Sequence, residues 1–523
     1  MEHTPSVYQS RIWADIASGV THTVVNAVAG SGKTTTGIAG LSHIPSGLSV
    51  IFVAFNKDIA ETLKAKWGKI VSTLESPPNV EISTLHSYGL RCVTAGLGYL
   101  RLDAQRVDKI AYAMYPDPPK SANAPATERE EIFNMRRDLV KTVSLAKGAL
   151  ASTPEQIDAI IDSFEIQSAV NGKRDRFISD VLAILEKCKE TATQLLEIKA
   201  ARKEPGADLS GLKALEKDVL AGGTIDFDDM IWLPVVLNLA QRQYDRVLGD
   251  EIQDFNKCQL ELMIRALKPS GRFLGFGDPR QAIYRFRGAD ENAFNNIKER
   301  LNATELPLSV CYRCSKAVVR EAQKLVPNIE AAPNAIEGDV FSVSYGTMQH
   351  EAAPGDFILS RTNAPLVELC MGFISEGRRA LIQGRDIGAS LAVFVKKSKM
   401  KDVHALRDYT QAWCNKECTR LAAKGRDTQS VEDKAACILA LSEGAASVED
   451  VISEIEMLFA DRDAMNCIVL STTHKAKGLE RDRVWVLKGT YMRRPDAEEK
   501  NLFYVAQTRA KKELYLVAKK VGE

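Results

Sequence analysis

A lysine and a threonine follow a glycine-rich turn in "VVNAVAGSGKTTT", and two acids end an apolar run in "YDRVLGDEIQDFN". The first stretch fits the phosphate-loop pattern G-x-x-x-x-G-K-[ST] except at its first position, where Ala27 replaces glycine. Backbone N–H groups of Ala29 to Gly32 can wrap phosphate oxygens. The Lys33 ammonium can reach β- and γ-phosphates, and the Thr34 hydroxyl can hold magnesium, with Thr35 beside it. In the second stretch, Asp250 can hold the same Mg2+ through water, and Glu251 can polarise an attacking water. Together they predict hydrolysis of a nucleotide such as ATP with Mg2+, without saying what it drives.

A third stretch, "FGDPRQAIYRFRGAD", mixes an amide, aromatics and cations in one loop. Asp278 and Gln281 are expected to face the nucleotide, with Gln281 sensing the γ-phosphate. Tyr284, Phe286 and Arg287 are expected to face a nucleic-acid strand, because bases stack on aromatic rings whatever their sequence. Phe286 as a simple packing residue is the competing reading.

These residues need strands that end at one edge. Short apolar, β-branched runs such as "LSVIFVAFN", "NVEISTLH", "RFLGFGD", "DFILSRT", "CIVLSTTH", "RVWVLKG" and "ELYLVAK" alternate with segments of helical period. That is the pattern of α/β layers built on buried parallel strands. Two regions, from about residue 89 to 221 and from 389 to 465, are helical and charged instead. The fold expected is α/β, with two parallel-sheet phosphate-loop-type domains in tandem, each interrupted by a helical insertion. The expected boundaries are 1–88, 222–303 and the insertion 89–221 for the first, and 304–388, 466–523 and the insertion 389–465 for the second.

Composition fits a soluble globular chain: 523 residues, 45% hydrophobic, 26% charged and net charge +1. A nucleic-acid partner would therefore be held by a local groove and not by the field of the whole protein. The N-terminus lacks the pattern of a signal peptide, and no apolar run of about 18 residues occurs. Ten cysteines scattered over this length fit reduced thiols. The expected location is the cytoplasm of a bacterial or phage-infected cell, or the nucleus. Cys311 and Cys314 form a C-x-x-C and Cys414 and Cys418 lie four apart. Neither has a second pair at zinc spacing, so both read as incidental.

Between Gln9 and Leu516 the chain resembles superfamily 1 DNA helicases of the UvrD, PcrA and Rep type, with features of the F-box helicase branch but no F-box. The resemblance makes the domains RecA-like and the insertions counterparts of domains 1B and 2B. It gives Gln9 in "TPSVYQSRIW" to adenine. It gives Phe55 and Asn56 in "VAFNKDIAE", and Thr84 and His86 in "STLHSYG", to DNA. Arg313 in "LSVCYRCS" and Arg509 in "NLFYVAQTRAKKEL" become arginine fingers on the γ-phosphate, acting across a cleft between the two domains. Gly478 and Glu480 are placed near nucleotide, and Thr473, His474, Lys475 and Arg361 near DNA. "IDFDDMI", Asp226 to Ile231, resembles the element leading back into the first core. His86 and His474 also read as packed or capping histidines, and Arg313 and Arg509 as solvated arginines.

The implied activity is ATP-dependent 3′–5′ movement on single-stranded DNA with duplex unwinding at single-strand/double-strand junctions. A single-strand translocase that strips proteins from DNA is the alternative, because the second insertion is short. A nucleotide switch or metabolic kinase leaves the second-domain arginines unexplained. The expected unit is a monomeric, minimal motor with no fused nuclease and no membrane contact. Its loading partner is not readable from the sequence.

Overall fold

The computed structural model describes residues 5–54, 56–118, 126–164, 166–169, 173–239, 243–283, 292–423, 428–459, 466–491 and 496–518. Its backbone falls into two compact units. The first comprises residues 1–27, 33–279 and 284–308, and the second residues 28–32, 280–283 and 309–523.

Strands of the first unit are β1 (Thr23–Ala27), β2 (Ser49–Ala54), β3 (Asn79–Thr84), β4 (Arg101–Leu102), β5 (Thr224–Ile225), β6 (Tyr244–Gly249), β7 (Leu267–Gly277) and β8 (Thr304–Leu308). Six of them form one parallel sheet in the order β3-β2-β6-β7-β1-β8. Its strands are runs such as "VIFVA" because both faces are covered. Ile12, Ile38, Leu63, Phe52 and Phe276 pack one side, and Ile51, Tyr88, Leu262 and Phe273 pack the other. The order places β6, β7 and β1 side by side. Their carboxyl ends carry Asp250, Asp278 and the loop before Lys33, the edge where open α/β sheets bind ligands.

Between β3 and β6 the chain is helical. Helices Ala126–Ala149, Pro154–Ser163 and Arg174–Ala201 pack on one another, and the short parallel pair β4–β5 brackets them. The return is tied by charge. Lys147 (1% exposed) bonds Asp226 Oδ2 at 2.7 Å and Asp229 Oδ1 at 2.8 Å, and Arg106 bonds the other Asp229 oxygen. Burial pushes the Asp229 carboxyl up, against the pull of Lys147. "DFDD" is thus a buried clasp as well as a connection.

The second unit has β9 (Val310–Cys311), β10 (Glu330–Ala331), β11 (Asp339–Val343), β12 (Phe357–Ser360), β13 (Ala380–Ile382), β14 (Ile468–Thr472), β15 (Arg481–Leu487) and β16 (Ala510–Val517). The six from β11 to β16 form a parallel sheet ordered β11-β16-β15-β12-β14-β13. Helices Arg385–Ser398, Val403–Ala422, Gln429–Leu441 and Val448–Leu458 lie between β13 and β14. Of these six, β11 and β13 are absent from the expected runs. β11, "DVFSV", has an exposed pattern and pairs only at the sheet edge. β13 has three residues. No described helix is long and apolar enough to cross a membrane.

Candidate active site

Lys33 starts the helix Lys33–Gly40 directly after β1. Its ammonium lies 3.2 Å from Glu251 Oε2. Burial pulls the Lys33 pKa down, but Glu251, Asp278 and Asp250 together hold it above its ordinary value, so the ammonium stays charged. Thr34 Oγ1 donates to Asp250 Oδ2 at 2.7 Å. Burial and then the neighbouring Glu251 charge push Asp250 up to about 6. Thr35 is exposed.

Glu251 is held in an unusual conformation. Its φ is +54°, in the left-handed region, which costs on the order of 1–3 kcal/mol for a non-glycine residue and recurs at active sites. Gln253 Nε2 donates to Glu251 Oε2 at 2.7 Å, while Gln253 Oε1 accepts the Asp278 N–H at 3.0 Å. Gln253 thereby ties the end of β6 to the end of β7. Sequence reading did not assign it a role, although its place inside "DEIQD" was the available signal.

Gln9 is 2% exposed and doubly engaged. Its Oε1 accepts the Ser6 N–H at 3.0 Å as half of a capping box, and its Nε2 donates to Thr36 Oγ1 at 3.1 Å.

In the second unit, Gly30 and Gly32 have φ of +68° and +78°. A Cβ on Gly30 would meet Arg313 Cβ at 2.7 Å and Cys311 Sγ at 2.9 Å, so the turn requires glycine there twice over. The Ala29 N–H donates to Tyr504 Oη at 3.0 Å, and the Gly30 carbonyl accepts from the Tyr312 N–H at 2.9 Å. Ser31 is buried, and its Oγ has no hydrogen-bond partner among the described residues. A buried hydroxyl left in this state calls for a ligand oxygen. In the first unit, the buried charged lysine and the Thr–Asp pair fit phosphate and a hard, oxygen-seeking divalent cation.

Arg313 Nε bonds Glu480 Oε2 at 2.5 Å, and its Nη1 donates to the Thr508 carbonyl at 3.2 Å. Burial pushes Glu480 up, but Arg313 and Lys511 outweigh it and hold the carboxyl low. Arg509 is 1% exposed. Its guanidinium donates to Val505 O (2.9 Å), Leu479 O (3.3 Å) and Thr508 Oγ1 (3.3 Å). Burial, then Arg313, lowers it to about 10. Arg509 therefore braces the two stretches that anchor Arg313. Gly478 has φ +91°. Gln281 is 5% exposed, and its carbonyl accepts from Lys477 Nζ at 2.8 Å.

Of the expected DNA contacts, Asn56 and Thr84 are helix N-caps, accepting from the Ile59 N–H at 2.9 Å and the Ser87 N–H at 3.2 Å. The His86 ring meets Phe227 edge-on with centroids 6.5 Å apart, and burial lowers its pKa. Arg361 Nε pairs with Glu499 at 2.6 Å. Thr473 is buried against the Tyr491 hydroxyl, and His474 and Lys475 are half-buried at the end of the same four-residue helix. Phe55, Tyr284, Phe286 and Arg287 lie outside the described residues.

Residues 9–302 match the UvrD/REP helicase N-terminal domain, and residues 381–520 match the UvrD-like helicase C-terminal domain. The chain is similar to the ATP-dependent DNA helicase PcrA of Bacillus subtilis, 30% identical over 28% of this chain and 22% of that protein. It is similar to F-box DNA helicase protein 1 of Schizosaccharomyces pombe, 26% identical over 52% and 34%. It is also similar to the ATP-dependent DNA helicase Rep of Escherichia coli, 26% identical over 62% and 43%. The matched portion is thus under half the length of each of these relatives. With the N-terminal domain alone matched over more than half of its length, the chain belongs to the UvrD/Rep helicase family.

Proposed function

We propose that the protein is an ATP-dependent DNA motor that moves 3′ to 5′ on single-stranded DNA and opens duplex at single-strand/double-strand junctions. The observation that carries the reading is the grouping of Lys33, Thr34, Asp250 and Glu251 at the carboxyl edge of one parallel sheet, with Glu251 in a strained backbone. The 3′–5′ direction rests on the resemblance to UvrD-type helicases.

In this reading the N–H groups of residues 29–32 and the Ser31 hydroxyl bind phosphate oxygens, the Ala29 N–H by leaving Tyr504 Oη. Lys33, now paired with Glu251, turns its ammonium to the β- and γ-phosphates. That frees the Glu251 carboxylate to take the proton of the attacking water, with Gln253 Nε2 still holding Oε2, the oxygen that Lys33 leaves. Thr34 and Asp250 would hold magnesium, which, when bound with ATP, neutralises phosphate charge. Arg313 is the favoured finger, since its side chain is 19% exposed against 1% for the whole of Arg509. Arg509 reaches phosphate only by giving up three hydrogen bonds.

The test is a forked duplex carrying a single 3′ or 5′ tail, incubated with ATP and Mg2+. Strand separation from the 3′-tailed fork alone is the expected result. Separation from the 5′-tailed fork alone contradicts the direction. No separation from either fork, with protein still displaced from single-stranded DNA, favours the translocase reading.

A further inference from the structure

The two cysteines around Arg313 are built as a pair. Cys311 ends β9, and both it and Cys314 are buried free thiols. The Cys314 N–H points at Cys311 Sγ, 3.5 Å away. Cys314 Sγ donates to the Thr508 carbonyl at 3.8 Å, the same oxygen that takes Arg313 Nη1 at 3.2 Å. Among the described residues, the one His/Cys/Asp/Glu group with metal-ligand geometry lies elsewhere, at Cys188, Asp226 and Asp229. A two-sulfur site without further ligands is redox chemistry before it is zinc chemistry.

The two thiols also differ. The Cys314 thiol, then the Cys314 and Arg313 N–H groups and the Arg313 charge, hold the Cys311 thiol at about 7 against the opposing effect of burial. Cys314 is pushed up by its bond to Cys311 and by burial. Of the two, Cys311 is therefore the sulfur disposed to act as thiolate, and its neighbour keeps its proton.

We infer that Cys311 and Cys314 form a peroxide-sensitive redox pair whose disulfide displaces Arg313 and stops nucleotide turnover. The inference rests on the ATPase reading above. The Cys311 thiolate attacks one oxygen of hydrogen peroxide. An S–O bond forms, the O–O bond breaks, and the departing hydroxide takes a proton to become water. Cys314 then attacks the sulfenic sulfur, forming S–S and breaking S–O, and its thiol proton leaves with the hydroxyl as a second water. The sulfurs lose two electrons and the peroxide gains them. A disulfide at about 2.05 Å draws residues 311 and 314 together across the turn that carries Arg313. It also removes the Cys314 S–H from Thr508, the shared anchor.

The test treats the reduced full chain with hydrogen peroxide, alkylates the remaining thiols, maps disulfides by peptide mass spectrometry, and measures ATP hydrolysis in the same samples. Cys414 and Cys418, with sulfurs 3.8 Å apart, are mapped as a separate pair. A Cys311–Cys314 disulfide, a fall in hydrolysis of about 1000-fold, as expected for a displaced finger, and recovery with dithiothreitol are expected. Cys314→Ser, compared with itself before peroxide, should show neither the disulfide nor a dithiothreitol-reversible loss. Alkylation of both cysteines after peroxide overturns the inference, and so does a mapped disulfide with unchanged hydrolysis. Absence of hydrolysis in the untreated reduced protein counts against the ATPase reading instead, while the peptide map still decides the disulfide.

Discussion

Lys147→Met tests whether the helical insertion is clasped to the first sheet by charge. Methionine keeps most of the side-chain volume and removes the ammonium. Lys147 is 1% exposed and lies 2.7–2.8 Å from Asp226 and Asp229. Solvent therefore does little to compensate the two carboxylates, and Arg106 and the Asp226 N–H, both on Oδ2, remain as partners of Asp229. Breaking a buried pair by removing one partner costs about 3–5 kcal/mol. At about 1.4 kcal/mol per tenfold, local opening should become about 100- to 4000-fold more frequent. Amide hydrogen exchange of helix Ala126–Ala149 and residues 226–236 measures it directly.

The pH dependence has a definite sign. Asp229 already titrates above its unfolded value because of burial, and losing Lys147 raises it further. A carboxyl with a raised folded pKa binds more protons folded than unfolded, so stability falls as pH rises through that range. The deficit of Lys147→Met should therefore shrink on acidification, and Asp229→Asn added to Lys147→Met should recover part of it. Exchange within threefold of the unmodified protein, or a deficit that grows at low pH, refutes the clasp.

Gly30→Ala should abolish ATP hydrolysis without unfolding the chain, since φ is +68° and the new methyl meets Arg313 Cβ at 2.7 Å; thermal unfolding and steady-state kinetics check the two halves. Arg313→Ala should lower kcat about 1000-fold with a much smaller change in nucleotide Kd, as for other arginine fingers. Arg361→Ala should lower the slope of DNA affinity against salt by about one, if Arg361 leaves Glu499 for a phosphate; an unchanged slope with a lower melting temperature makes the 2.6 Å pair purely structural.

Much of this was legible because strand ends and phosphate-loop chemistry are local. Lys33, Thr34, Asp250 and Glu251 each follow an apolar strand, and those strands lie close together in the sheet. Less legible were features set by long-range partners. Gln9 and Asn56 have the residue types expected for ligand contact, yet in this structure their side-chain groups serve helix caps. Nothing in "VSLAKGA" announces that Lys147 will face two carboxylates about 80 residues later, because that pairing depends on how the insertion folds back. Strand β11 went unseen because an edge strand with exposed residues lacks the apolar run that marks a central one. The C-x-x-C reads as incidental on its missing second pair; the Thr508 carbonyl that the Cys314 thiol shares with the Arg313 guanidinium is a contact the spacing does not reveal.

The central claim is that nucleotide hydrolysis at Lys33, Thr34, Asp250 and Glu251 is coupled to a DNA strand. The most direct measurement is the rate of ATP hydrolysis with and without single-stranded oligonucleotide, with Lys33→Ala as the blank. Stimulation of tenfold or more that disappears in Lys33→Ala is expected. Hydrolysis at the same rate with and without DNA contradicts it.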